Sequence, residues 1–321
     1  MNRKRLRITV GFSGNPETFL FTGDSSSEKR PVDQLVRTIG GTSVNFALQV
    51  REFGAKVHLC LLTGNDNEGI SMLAQLESRV DKLSAIPCLG ATAEAFIAIQ
   101  TDRDYERTLY SYKPAGYSRP PISFQVQSIL HREEADVLVM TGIGSAEYYL
   151  ARLGFETSEW LRVLNPRAEL TAKTEELERI LRCTDVLSLN EKEAQAYLQH
   201  GNDVSLGDLK RFRVFGPKIV LVTLGRRGLL VSGPDGLVAE IPTCVAGKEI
   251  DATGAGDALL AGFLSRFSSL DELRNATGQS VRAAAEFGSF VAGISVTKVG
   301  GANTITAAEL EKFGEREKVA V

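Results

Sequence analysis

The run Asp251-Ala252-Thr253-Gly254-Ala255-Gly256-Asp257 passes straight into the apolar segment Ala258-Leu259-Leu260-Ala261-Gly262-Phe263-Leu264. Small residues and glycines ahead of a helix-forming run describe a tight turn feeding a helix N-terminus, where unpaired N–H groups and the helix dipole favour an anion. Such a turn is a phosphate cradle. Asp257 stands where the turn becomes helix, so its carboxylate would lie beside the anion and could take a proton from an attacking hydroxyl. The same residues would also serve as an ordinary capped turn, with Asp257 as N-cap and the glycines present for their dihedrals. The stretch is not a Walker P-loop, because no Gly-Lys-Ser/Thr follows.

A second block lies near the start of the chain: Gly40-Gly41-Thr42-Ser43-Val44-Asn45-Phe46-Ala47, running on to Phe53-Gly54-Ala55 and Gly64-Asn65-Asp66-Asn67-Glu68-Gly69. The two blocks resemble, in order, the N-terminal and C-terminal signatures of the ribokinase-like (pfkB) family of carbohydrate kinases. The resemblance covers essentially the whole chain. It implies an α/β fold, a ribokinase-like three-layer α/β/α sandwich with a mainly parallel central sheet. It also implies one kinase domain over 1–321, with small lid strands inserted within about 13–40 and 92–112.

Composition sets the frame for that expectation. A chain of 321 residues with 43% hydrophobic content can bury a large core. A net charge of −3 and the absence of a basic tract leave no electrostatic footprint for nucleic acid or an anionic membrane. No stretch approaches the roughly 18 consecutive apolar residues of a membrane span, and the basic start does not lead into a signal-peptide core. The expected setting is the cytoplasm and the expected partners are small molecules. Cys60, Cys88, Cys183 and Cys244 lack C-x-x-C spacing, and His58, His131 and His200 lack ligand spacing, which argues against zinc and disulfides.

Stepping along the chain, Leu6–Phe12 reads as a first strand and Ser13–Glu17 as the turn leaving it. Gly23–Lys29 reads as a polar loop. Gly40-Gly41 precedes a helix-periodic run that Gly54 would close. Val57–Leu62 reads as a strand, followed by a helix near Gly69–Arg79. Apolar segments around Ala95–Ile99 and Thr108–Tyr110 flank Asp102–Glu106, a hairpin signal that interrupts the β–α alternation. From 136 onward, short apolar runs at Asp136–Met140, Leu161–Leu164, Val186–Leu189 and Ile219–Thr223 alternate with helical patterns. That is the signature of a buried parallel sheet whose ligands sit at the strands' carboxyl ends.

The resemblance assigns roles to particular residues. It makes Asp257 the general base and the turn Gly254, Ala255, Gly256 and Asp257 the anion hole. Asn15, Glu17, Gly40, Gly41 and Asn45 become substrate ligands, with Asn15-Pro16-Glu17 standing where the family usually carries an Asn-x-Asp or similar acidic element. Asn190, Thr223, Gly225, Gly228 and Asn303 are expected along the nucleotide, together with Gly254 and Gly256. Arg226 or Arg227 could touch the nucleotide, or could form a solvated hairpin turn. Asn190 and Glu193 match an Asn-x-x-Glu motif that organises Mg²⁺ through water. Asp251 and Thr253 are expected at a monovalent cation such as K⁺. Glu106-Arg107-Thr108 resembles an element of the lid, a surface through which subunits of the family often pair as homodimers.

The expected reaction is transfer of the γ-phosphoryl of ATP to a hydroxyl of a small sugar or sugar acid. Two other functions share the motifs: a nucleoside kinase of the adenosine type, and a catalytically silent sugar-sensing protein.

Overall fold

The computed structural model describes residues 5–23, 31–102, 106–114, 135–144, 155–156, 160–172, 174–244 and 247–319. The expected hairpin tip at 103–105, most of the Gly23–Lys29 loop and His131 lie outside them.

Alternation along β8 (Val137–Ile143) shows how the main sheet builds two cores. Val137 and Val139 enter one apolar cluster with residues of the helices Thr42–Glu52, Asn67–Glu77, Ala255–Ser265 and Gly278–Ser295. Leu138 and Met140, on the other face, join residues of the helices Thr174–Leu181, Glu191–Leu198 and Leu209–Arg213. Successive strand side chains point to opposite faces, so a strand covered on both sides must be apolar throughout. β8 is buried at every position. The result is helix, sheet and helix in three layers.

The sheet has nine strands in the order β13-β12-β11-β10-β9-β8-β1-β4-β5. β1 (Arg7–Phe12) pairs in parallel with both β4 (Lys56–Thr63) and β8, and β4 pairs in parallel with β5 (Lys82–Pro87). Beyond β8, the strands β9 (Leu161–Pro166), β10 (Val186–Asn190) and β11 (Ile219–Thr223) continue in parallel. The chain grows the sheet first to one side of β1 and then to the other. This creates a topological switch point between β1 and β8, and open α/β sheets bind ligands at such a crevice.

Three strands lie outside the sequence expectation. β5 has only one buried residue, and its mixed pattern hides it among turn residues. β12 (Leu229–Ser232) and β13 (Val238–Ile241) run antiparallel at the sheet edge, and their short length gave no clear period.

A second sheet of four strands has the order β3-β2-β6-β7. β2 is Asn15–Thr22, β3 Gln34–Gly40, β6 Glu94–Gln100 and β7 Glu106–Tyr112. The expected turn at Ser13–Glu17 is therefore shorter than the sequence suggested. Only Ser13 and Gly14 separate β1 from β2, and Asn15, Pro16 and Glu17 already pair with Gly40, Ile39 and Thr38. Phe19, Phe21, Ala95, Ile97 and Ile99 form this sheet's own apolar cluster.

Among the described residues, no helix is long and apolar enough to cross a membrane.

Candidate active site

The helix Ala255–Ser265 begins without a side-chain cap; its N-cap is Gly254, at φ 77°. Only glycine takes that left-handed conformation readily, and a Cβ there would lie 2.5 Å from the Gly301 Cα. Asp257 is thus not the N-cap but lies inside the first turn, 6% exposed. The Ala255 N–H turns back to the Ala252 carbonyl at 3.3 Å. That leaves the N–H groups of Gly256 and Asp257 as the helix-start donors free of intrahelical partners. A Cβ on Gly256 would meet nothing within 4 Å, so the turn faces open space where an anion fits.

Asp257 shares its surroundings with two residues from other elements. Asn45, on the helix Thr42–Glu52, donates from Nδ2 to Asp257 Oδ2 at 3.1 Å. Glu17, on β2, accepts the Gly41 N–H through Oε1 at 3.1 Å. A Cβ on Gly40 would stand 2.1 Å from the Glu17 carboxyl carbon, so a larger residue there displaces the Glu17 side chain. Gly41 holds φ 93° at the start of the helix. Glu17 Oε2, Asn45 Oδ1 and Thr42 Oγ1 are all buried without a hydrogen-bond partner. Buried polar atoms are normally paired, so unpartnered atoms on Thr42 and Asn45, one helical turn apart, and on Glu17 beside Gly41 could receive a ligand's polar groups.

The electrostatics follow from burial. Desolvation pushes the Asp257 carboxyl up to about 8, against the pull of Asn45's hydrogen bond, with Glu17 and Glu193 adding like-charge repulsion. Desolvation also pushes Glu17 up to about 7, opposed by the Gly41 N–H. Glu193 is raised to about 7 for the same leading reason, opposed by hydrogen bonds from Asn190. Three acids near one another, each shifted towards its neutral form by burial, mark a site that expects cationic or hydrogen-bonding company.

Asn190 and Glu193 form a capping box at the carboxyl end of β10. The Asn190 N–H donates to Glu193 Oε2 at 2.8 Å and the Glu193 N–H to Asn190 Oδ1 at 2.9 Å. Thr223 sits beside Asn190 in register. Gly225, at φ 60°, meets nothing within 4 Å, and Gly228, at φ 100°, packs so tightly that a Cβ would fall 2.1 Å from the Ile241 carbonyl oxygen. Arg227 is held by Glu191 and Asp203, and Arg226 by Glu249, so both arginines serve the turn rather than project freely.

Asp251 is 3% exposed, and both its oxygens accept donors. Oδ1 takes the Thr253 N–H at 2.9 Å and hydroxyl at 2.6 Å; Oδ2 takes the Gly300 N–H at 2.8 Å. Arg107 reaches down from β7 to Asp251 Oδ1 at 3.5 Å and also donates to Thr253. These donors crowd Oδ1 and leave Oδ2 with one, so an oxygen of Asp251 keeps acceptor capacity at the place where a monovalent cation is expected. Asn303 is exposed and donates its amide to the Val299 carbonyl.

Sequence reasoning left Thr42 without a role and gave Arg107 only a place in a lid element. Thr42 directly follows Gly40-Gly41, and Arg107 falls on the inner face of β7 opposite Ile99, but only the pairing of β6 with β7 reveals that face. Ser43 was also missed: its hydroxyl bonds the Ser13 N–H at 2.8 Å and Thr141 Oγ1 at 2.9 Å, tying the helix to the ends of β1 and β8.

Residues 15–308 match the sequence model for the pfkB family carbohydrate kinase. A 2-dehydro-3-deoxygluconokinase from Escherichia coli is 29% identical over 245 residues, spanning 70% of this chain and 78% of that protein. Among solved structures, ribokinase from Giardia lamblia superposes with a TM-score of 0.77 at 21% identity, over 96% of this chain and 99% of that one. Phosphofructokinase-2 from Escherichia coli, in complex with potassium, superposes with a TM-score of 0.76 at 14% identity, over 98% and 99% of the two chains.

Proposed function

Since the chain belongs to the pfkB family of carbohydrate kinases, we propose that it moves the γ-phosphoryl of ATP to a hydroxyl of a small sugar or sugar acid, with Asp257 as general base. The observation that carries this reading is the Asn45–Asp257 contact beside the unpartnered atoms of Glu17, Asn45 and Thr42. Acceptor hydroxyls satisfy those atoms and bring one hydroxyl to Asp257. Asp257 takes its proton, the hydroxyl oxygen bonds to the γ-phosphorus, and the bond to the leaving ADP oxygen breaks.

The N–H groups of Gly256 and Asp257 stabilise charge on the transferring group, assisted by the positive end of the helix dipole. The Thr223, Gly225 and Gly228 turn takes the nucleotide, with the Gly300–Asn303 segment opposite. Mg²⁺, when bound, neutralises phosphate charge; Glu193 and Asn190 would meet it through water. No group of three or more His, Cys, Asp or Glu among the described residues could hold a metal. The ion would therefore be carried largely by phosphate oxygens. No step needs K⁺.

Arg107 favours an acidic acceptor. It is a cation on the lid's inner face whose charge is felt at Glu17, and it would sit over the pocket mouth. This agrees with the 2-dehydro-3-deoxygluconokinase relative. The deciding experiment is a coupled ADP-release screen over neutral sugars, sugar acids and nucleosides, repeated with Arg107→Ala. Turnover of sugar acids that Arg107→Ala weakens more than turnover of neutral sugars supports the reading. Turnover of nucleosides alone, or ligand binding with no ADP release, contradicts it.

A further inference from the structure

The helix Thr42–Glu52 carries a second buried amide one turn beyond Asn45. Gln49, on the same face and 3% exposed, donates from Nε2 to the Ile305 carbonyl at 3.1 Å and accepts the Ile305 N–H on Oε1 at 2.8 Å. Ile305 is fully buried and lies in neither helix nor strand, so its main-chain groups have no ladder to join. Leaving them unpaired would be costly, and one glutamine amide has the donor and the acceptor that satisfy both.

Ile305 closes a stretch, residues 300–305, whose other end reaches the site. There the Gly300 N–H donates to Asp251 Oδ2 at 2.8 Å. Next along, Gly301 passes so close that an added Cβ would stand 2.4 Å from Asn45 Nδ2 and 2.9 Å from the Gly254 Cα. That Nδ2 is the atom that donates to Asp257. One helix therefore meets the stretch twice: Asn45 packs on Gly301, and Gln49 bonds Ile305. Four helical residues rise about 6 Å, and two contacts that far apart fix the tilt of the stretch as well as its position, where a single contact would let it pivot. Arg79 and Lys298 also bond its carbonyls, at Ala302 and Thr304, but they come from outside this helix and do not set the register of Gly301 on Asn45.

We propose that Gln49 is a positioning residue: by holding Ile305 it keeps Gly301 pressed on Asn45, and so keeps the Asn45 amide on the Asp257 carboxyl group. Gln49 itself touches neither substrate nor the reacting atoms. The inference deepens the kinase reading and rests on it, since Asn45 matters to catalysis only if Asp257 is the base.

The test follows the Asp257 carboxyl directly, by carbon NMR of the full-length protein labelled at its aspartate carboxyls; the resonance missing from Asp257→Asn identifies it. In wild type it should titrate at about 8. Gln49→Met keeps the side chain's length and removes both bonds to Ile305. The midpoint should then move up, because a loosened Asn45 amide favours the charged form less, while Glu17 and Glu193, the carboxyls that also act on Asp257, are untouched. Asn45→Ala should move it further, and the double variant Asn45→Ala/Gln49→Met no further than Asn45→Ala alone, since Gln49 acts through Asn45. Acceptor kcat/KM at neutral pH should fall roughly 2- to 10-fold in Gln49→Met, at the lower end of what coupled contacts give. Ile305→Val is the control for plain destabilisation: it trims a buried side chain, keeps both main-chain bonds to Gln49, and should lower Tm with the midpoint in place. Should the methionine variant fail to fold, Gln49→Asn, whose amide falls one methylene short, reports the same shift. A midpoint equal to wild type overturns the proposal; so does a shift that Ile305→Val reproduces, or shifts that add in the double variant. A wild type that releases no ADP with any acceptor would instead sink the kinase reading, and the titration would still decide whether Gln49 holds Asn45 on Asp257.

Discussion

The Asn45 side-chain amide donates to Asp257 across 3.1 Å, joining positions 212 apart in the chain. The bond stabilises the ionised carboxylate and works against the burial that raises it to about 8. Removing the donor in Asn45→Ala therefore moves Asp257 further up. The rising limb of the pH profile of kcat/KM should shift to higher pH, and the acceptor KM should rise. A profile that coincides with wild type would remove Asn45 from the site.

Asp257 has to lose a proton before it can accept one. Because its carboxyl is raised to about 8, wild-type activity should climb with pH and level off above about 8. Asp257→Asn should bind ATP normally while kcat falls by about 10²–10⁴-fold, the typical worth of a general base. Stopped-flow turnover and nucleotide titration together check this; an ordinary kcat removes the role.

Glu17 sits on the small sheet, so it tests whether that sheet reads the acceptor. Glu17→Gln keeps an acceptor for the Gly41 N–H but loses the charge, and hydrogen bonds to charged groups contribute about 1.5–3 kcal/mol. The acceptor KM should rise roughly 10- to 100-fold with the ATP KM unchanged. Equal losses for both substrates would place Glu17 outside the acceptor pocket.

Three glycines should respond differently to alanine. At Gly254 the new Cβ would lie 2.5 Å from Gly301 Cα on a residue at φ 77°, so Tm should drop. At Gly40 it would collide with the Glu17 carboxyl, so acceptor affinity should fall before stability does. At Gly256 it meets nothing, so Tm should hold while nucleotide affinity falls, because the methyl enters the space kept for phosphate. Thermal melts with parallel kinetics separate the three; a lowered Tm for Gly256→Ala would show the turn is packed rather than open.

The outer face of the small sheet carries Leu35, Phe96, Tyr110 and Tyr112, which are 50%, 38%, 61% and 52% exposed. Apolar residues gathered on one face are more consistent with a docking surface than with bare solvent contact, and a second copy offers the same face. Sedimentation should show a dimer that Tyr110→Glu converts to monomer with kcat retained. A monomeric wild type would contradict it.

Much of the architecture was visible beforehand because the buried parallel strands are short apolar runs. The turn at the start of the helix Ala255–Ser265 was visible because its glycines stand directly before an apolar helical run. Arg226 and Arg227 illustrate what sequence hides: adjacent cations beside a glycine turn could be nucleotide ligands or turn residues, and only the fold shows that Glu249, Glu191 and Asp203 pair with them from distant positions. Thr42 was hidden for a related reason. Its unpartnered hydroxyl matters only because the fold encloses it.

Gly14 and Gly41 mark where the first hairpin of the small sheet leaves and rejoins the main body, packed so closely that a Cβ on Gly41 would come within 2.8 Å of the Gly14 Cα. Any rotation of the small sheet against the main body would turn on this pair. Glu17 lies three positions from it, whereas Arg107 sits on β7, two strands over from β2, at roughly 4.8 Å per strand. A given rotation therefore sweeps Arg107 through a wider arc than Glu17. In such a rotation the short arm would keep Glu17 near Gly41 while the long arm would carry Arg107 onto or off Asp251 and Thr253, so changes in β7 would alter closure without reshaping the surroundings of Glu17.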